Sequence, residues 1–293
     1  MQTIQKGILS EVPRLARYMY FNLMDASIVK ECLSDLQEVV DGELTVVGMG
    51  LSLVGVLGSP VAGLENLSFD AAAGIDVPTT PCALWLWLRG DDRGEIYHRS
   101  RMLEDILSIS FELTDVVDSF QFEDSRDLSG YVDGTENPAG DEAIAAAIVQ
   151  GQGAGMDGSS FVAVQQWLHD LDSFGALAEN EQDNVFGRHV SDNEEFDEAP
   201  ASAHVKRAAQ ESYEPEAFML RRSMPWAEGM DAGLMFVAFG KSFAAFETVL
   251  NRMLGHEDGI QDALFSFTRP LTSAYFWCPP VNDGRLDLSS LGM

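Results

Sequence analysis

Two glycines bracket a single carboxylate in Gly130-Tyr131-Val132-Asp133-Gly134-Thr135-Glu136-Asn137-Pro138. Glycine lets the backbone turn sharply and approach a ligand closely, so the segment could present the Asp133 carboxylate on a fixed arm. The competing reading is a plain Asx-type turn, because Asp-Gly and Asn-Pro are both turn formers, and spacing alone favours the turn. Among five histidines, His204 stands out in Ala203-His204-Val205-Lys206-Arg207, close to the arginine pair of Leu220-Arg221-Arg222-Ser223-Met224-Pro225. A neutral imidazole gives one nitrogen to a metal while a hydrogen bond holds the other. His169, at the end of a strand-like run, competes for that role, and isolated sequence features do not separate the two. Arg221 falls in a segment otherwise made of Phe218, Met219 and Leu220. A guanidinium is always charged, so a buried one must find a carboxylate, a cofactor's acid group or an oxyanion; a surface position on an edge strand is the equal alternative.

These residues need elements to hold them. The apolar period predicts a helix from Asp25 or Ser27 to Gly42, a strand over Leu44 to Met49, and a strand over Ala83 to Leu88 ended by a polar turn. A helix with Ile96, Leu103, Ile106 and Leu107 inward follows, then a β-rich run from Val116 to Phe122. The second half repeats the order. Strands are expected over Phe161 to Trp167, Ala217 to Met224, Leu234 to Phe239 and Ala274 to Cys278, with helices over Phe174 to Val185 and Ser242 to Leu254. Two ferredoxin-like α+β halves (βαββαβ) with antiparallel sheets are the economical reading, residues 1–140 and 141–293, each sheet covered by helices on one face with room beneath for a large flat ligand. Asn137 to Gly158, rich in Gly, Ala and acids, reads as a linker. Ser191 to Ala203 reads as a solvated acidic loop ending at His204.

Composition narrows the classes. The 293 residues are 46% hydrophobic, enough for a sizeable core, and carry 47 acidic against 18 basic side chains for a net charge of -29. No basic stripe is left to neutralise phosphates, so nucleic acid and anionic membranes are poor partners. Cys32, Cys82 and Cys278 are odd in number and far apart, which argues against a disulfide framework or a zinc knuckle and fits a reducing cytoplasm. Neither an export signal nor a membrane span is read from the sequence.

Taken together, the chain resembles the dye-decolourising peroxidases, type B. Gly130 to Pro138 resembles that family's distal glycine-aspartate-glycine motif, and Asn184-Val185-Phe186-Gly187-Arg188 before the acidic loop resembles its helix-to-loop passage. His204-Val205 corresponds to the axial histidine, and Arg221-x-Ser223-Met224-Pro225 to the distal arginine and its hydroxyl neighbour. The resemblance implies a fold of the dimeric α/β-barrel-like kind, haem b as cofactor, and hydrogen peroxide with organic electron donors as partners. It implies His204 as iron ligand, Asp133 as the base that takes a proton from peroxide and returns it to the departing oxygen, and Arg221 as stabiliser of the developing charge. Ser223 would hold a distal water and Arg188 would pair with a propionate. Activity skewed to acidic pH follows from a carboxylate base. The acid behind His204 stays open among Glu257, Asp258 and Asp262. A homo-oligomer, dimer or larger, is implied too. The tail Leu286 to Gly292 loosely resembles peptides that direct relatives into encapsulin shells, with simple terminal packing as the competing reading.

The leading function is peroxide-dependent one-electron oxidation of bulky donors such as dyes. A haem-handling protein with incidental peroxidase activity is the alternative, and a haem-free binding module ranks below both.

Overall fold

The computed structural model describes residues 4–69 and 74–293. Strands β1 (Leu15–Leu23), β2 (Thr45–Met49), β3 (Leu84–Gly90) and β4 (Phe111–Phe120) lie antiparallel in the order β2-β3-β1-β4. The second set has the same plan. β5 (Ser160–His169) is flanked by β9 (Thr268–Cys278) and β8 (Asp231–Gly240), and β6 (Leu220–Arg221) and β7 (Met224–Glu228) both lie on the far edge of β8. Each set therefore has the 4-1-3-2 strand order of the ferredoxin-like motif. Their edges meet through the pairs Met49↔Trp277 and Ser119↔Trp226, so the sheet closes on itself.

Alternation along the strands divides the core in two. Val162 and Val164, Met235, Val237 and Phe239, and Trp85 and Trp87 point into the space enclosed by the sheet. Phe161 and Ala163, Leu84, Leu86 and Leu88, and Tyr275 and Trp277 point outward to the helices. The helices among the described residues are α1 (Lys6–Leu9), α2 (Val29–Val39), α3 (Leu51–Leu57), α4 (Arg93–Leu107), α5 (Gly140–Ala147), α6 (Leu171–Gly175), α7 (Glu179–Phe186), α8 (His204–Arg207) and α9 (Ala244–Met253), of which α1 and α5 bury side chains in the inner core instead. α2 and α9 were expected from their apolar stripes, and Leu33, Leu36, Phe246 and Leu250 are buried accordingly.

Three expectations need correction. The stretch Asn137 to Gly158 is not a free linker: it holds α5, whose Ala143 and Ala147 are buried in the inner core. The helix expected over Phe174 to Val185 is two short ones, α6 and α7. The strand expected over Ala217 to Met224 is confined to β6 and resumes as β7, interrupted at Arg222 and Ser223. In the C-terminal tail, Leu286, Leu288 and Leu291 are buried in the outer core. No helix among the described residues is long and apolar enough to cross a membrane.

Candidate functional site

A cavity of about 340 Å³ opens between the outward face of the second strand set and α9. Its floor is Gln165 and Trp167 of β5 with Leu234 and Phe236 of β8; its roof is Phe246, Val249, Leu250 and Met253 of α9. The same alternation that sends Val164 and Met235 into the closed sheet sends these four strand residues the other way. Two loops close the sides, one holding Asp133 and the other leading into α8 with His204.

His204 is the first residue of α8. Its Nδ1 lies 2.8 Å from Oδ2 of Asp262, whose side chain is fully buried and whose Oδ1 accepts the backbone N–H of Leu264 at 2.9 Å. The acid left open by the sequence is therefore Asp262. The other two candidates are engaged elsewhere, Asp258 with Arg207 and Glu257 with Arg252. With Nδ1–H committed to Asp262, Nε2 is the nitrogen His204 can present to the cavity. His169 also lines the cavity, but Nδ1 meets Thr268 Oγ1 at 2.6 Å and Nε2 meets Asp127 Oδ1 at 3.1 Å. Both ring nitrogens of His169 therefore already have partners.

The Asp133 loop is pinned from several sides. Gly134 has φ +80°, and a Cβ there would meet the Asn137 amide at 2.9 Å. Asp133 N–H donates to the Ser125 carbonyl at 3.1 Å, while its half-buried carboxylate has neither a hydrogen bond nor an ion pair among the described residues. Tyr131 stacks on Phe186 with ring centroids 3.9 Å apart. Arg221 enters from β6. Asn137 grips its backbone on both sides, accepting the Arg221 N–H at 2.8 Å and donating to its carbonyl at 3.0 Å. This pairing joins the Asp133 loop to β6, and the sequence reading missed it by taking Asn-Pro only as a turn. The signal was an amide side chain able to mimic a backbone pair. Arg221 Nε is buried and has no partner among the described residues.

Ser223 is not on the main cavity. It lies behind Asp133 and Arg221, in an adjoining cleft of about 30 Å³ that both also line, and its Oγ is 3.4 Å from Val237 N. Arg188 sits at the cavity mouth, where it latches the two loops together through Glu136 at 3.0 Å and the Asn193 carbonyl at 2.9 Å. Gly187, φ +82°, brings that arginine past α8; a Cβ there would strike Val205 at 2.4 Å.

Asp183 anchors the Asp133 loop from below, accepting Tyr131 O–H at 2.6 Å, Val190 N–H at 3.0 Å and the His189 ring at 2.9 Å. Burial alone would raise its pKa, but the hydrogen bonds from Tyr131 and His189 win and hold it below the usual carboxylate range. Asp127 behaves alike: burial opposes ionisation, and the His169 hydrogen bond and charge, with Ser129, outweigh it. His189 is raised, chiefly by its hydrogen bond to Asp183. Depressed carboxylates stabilise the fold above about pH 4 and lose that contribution as pH falls through their lowered values; a raised histidine contributes fully below about pH 6.5 and loses it as pH rises through its raised value. The loop should therefore exchange its backbone amides most slowly between about pH 4 and 6.5 after correction for intrinsic rates. Asp183→Asn is expected to cost on the order of 1–3 kcal/mol in urea unfolding. An unchanged midpoint would mean that the loop's other ties, to Ser125, Arg221 and Phe186, hold it without Asp183.

Comparison with known proteins follows the same residues. The family model described as Dyp-type peroxidase, C-terminal, matches residues 124–283. The dye-decolorizing peroxidase of Mycolicibacterium paratuberculosis is 30% identical over 211 residues, 70% of this chain and 60% of that protein, so the match leaves a large part of that relative's length uncovered. A crystal structure of a Dyp-type peroxidase protein from Shewanella oneidensis has a TM-score of 0.90 at 27% identity, covering 99% of this chain and 98% of that one. A DypB variant from Rhodococcus jostii RHA1, determined in complex with heme, has a TM-score of 0.84 at 26% identity, covering 92% and 94%.

Proposed function

The chain belongs to the Dyp-type peroxidase family, and on that premise we propose that it is a haem peroxidase oxidising bulky organic donors, dyes among them, in one-electron steps at the expense of hydrogen peroxide. The observation that supports this best is the meeting, in one largely apolar cavity, of His204 held at Nδ1 by a buried carboxylate, a partnerless Asp133 carboxylate and a partnerless buried Arg221 Nε. That donor set fits haem b. Nε2 of His204 would hold the iron, the Asp262 hydrogen bond would fix the ring and raise its basicity, and the α9 side chains would pack the macrocycle. Bound haem would supply the redox chemistry.

The residues of the chain do the rest. The Asp133 carboxylate takes a proton from one oxygen of peroxide and gives it to the other, which leaves as water. Arg221, positioned by Asn137, offers an unspent N–H to the charge that builds as the bond breaks. Ser223, from the cleft behind, would hold a water against both. Arg188, now paired with Glu136 and Glu195, would meet a propionate in competition with them. The buried leucines of the C-terminal tail support packing, since docking in a shell would require their release.

A haem-handling protein needs His204 and an apolar wall but neither Asp133 nor Arg221, which sets that reading second. Haem titration of the full chain, followed by donor oxidation with and without peroxide, separates them. Stoichiometric haem uptake with saturable, peroxide-dependent turnover is the expected result; uptake with no turnover would leave the handling role.

A further inference from the structure

Arg221, the last residue of β6, and Arg222, in the break that follows it, point to opposite sides of the sheet. Arg221 faces the cavity, whereas Arg222 stands between Leu220 and Met224, both in the inner core. Across the enclosed space Arg89, 6% exposed, follows Trp85 and Trp87 on the inward face of β3, with its guanidinium 4.8 Å from the Trp87 ring centre. The two guanidiniums converge on one short loop: Arg222 Nη2 donates to the Leu9 carbonyl at 3.0 Å, and Arg89 Nη2 donates to the Glu11 carbonyl. Their Nη1 atoms donate to the Arg221 and Glu43 carbonyls at 3.2 and 3.1 Å. Among the described residues every partner of either guanidinium is a neutral carbonyl, and neither makes a salt bridge. Nε of each is buried and unpartnered, and so is the hydroxyl of fully buried Tyr18, which feels the charge of Arg89.

Two like charges buried together without an anion are costly, because a guanidinium cannot escape by losing its proton. Burial first, then the like charge of Arg89, pulls Arg222 down to about 10. Glu11 acts on Arg222, and Glu43 and Asp41 act on Arg89, through their charges, but among the described residues no carboxylate forms an ion pair with either guanidinium. We propose that Arg89, Arg222 and the Tyr18 hydroxyl form a binding site for one tetrahedral oxyanion of the phosphate class, under the Leu9 to Glu11 loop and on the opposite face of the sheet from the haem cavity. The donor geometry selects the class. Each guanidinium still has its Nε–H free, and its Nη2 carries a second N–H beyond the one given to the loop; Nε and Nη2 form the edge with which Arg17 grips Asp118 here at 2.6 and 2.8 Å. An oxyanion takes two such donors on two oxygens, and a tetrahedral one can meet both arginines and the tyrosine at once; chloride is a single point.

Arg222 also donates to the Arg221 carbonyl, the group that Asn137 holds from the other side. An anion on Arg222 therefore bears on the interruption between β6 and β7, and is expected to slow amide exchange at residues 220–224.

The test is calorimetric titration of inorganic phosphate into the full haem-loaded chain at fixed pH and ionic strength, with Arg222→Gln and Arg221→Gln as the paired controls. One saturable phosphate per chain is expected in wild type, competed by sulfate and not by chloride. Arg222→Gln should weaken it by about tenfold or more, and Arg221→Gln should leave it intact. Should Arg222→Gln fail to fold, Arg222→Lys keeps the charge, loses the paired donors, and is expected to weaken binding similarly. Absence of saturable binding in wild type would overturn the proposal. So would binding lost in Arg221→Gln and kept in Arg222→Gln, which would place the anion in the haem cavity.

Discussion

Asp133→Asn is expected to slow the reaction of the haem-loaded protein with hydrogen peroxide by about 10²–10⁴ while leaving haem uptake unchanged. The substitution keeps the shape of the side chain and the Asp133 N–H bond to Ser125, so the loop stays in place. What it removes is a half-buried cavity carboxylate with no partner of its own among the described residues; Glu211, the other cavity carboxylate without one, is exposed. Asp127 is the nearest rival acid in the cavity, but it is tied to His169 and Ser129. Stopped-flow mixing at several pH values gives the answer. Wild type should react rapidly, and the variant should stay slow at every pH tried. A variant within a few-fold of wild type would hand the proton transfer to another group, with Asp127→Asn the next substitution to make.

Arg221→Ala is expected to lower the same rate by roughly 10²–10³, as removal of a preorganised donor to a developing charge does elsewhere. The buried Nε without a partner is the reason to expect a large effect: its charge is held by the fold and spent on nothing in the resting protein. Arg221→Lys should recover part of the loss, because the charge returns without the planar pair of donors. If alanine and wild type react alike, Arg221 serves only to seat the loop through Asn137, and Asn137→Ala would then show the larger defect.

How much of this could be read from the chain differs by level. The helices α2 and α9 and the buried strands were legible because their periods are set by one-sided burial. α5 was not, since an Ala-rich, Gly-flanked stretch was given the meaning of its glycines although alanine favours helix. The break at Arg222 and Ser223 was hidden because both residues fit a strand pattern; only the enclosed Arg222 side chain distinguishes it. Asp133, His204 and Arg221 entered through their resemblance to a family, since spacing alone left a turn, a competing histidine and a surface arginine open. Asp262 could not be chosen from sequence, as three acids lie within reach of His204 along the chain and tertiary pairing takes two of them away. Ser223 was legible as a neighbour of Arg221, yet it falls in the break between β6 and β7 and lines the cleft behind the cavity.

The central claim is that His204, backed by Asp262, holds haem in this cavity. The most direct measurement is the absorption spectrum of the haem-loaded chain before and after one equivalent of hydrogen peroxide, for wild type and His204→Ala. A haem band in wild type that changes rapidly on peroxide addition, and that is lost or strongly altered in His204→Ala before any peroxide is added, is the predicted result. A haem spectrum unchanged by the His204 substitution would place the ligand elsewhere and contradict the account.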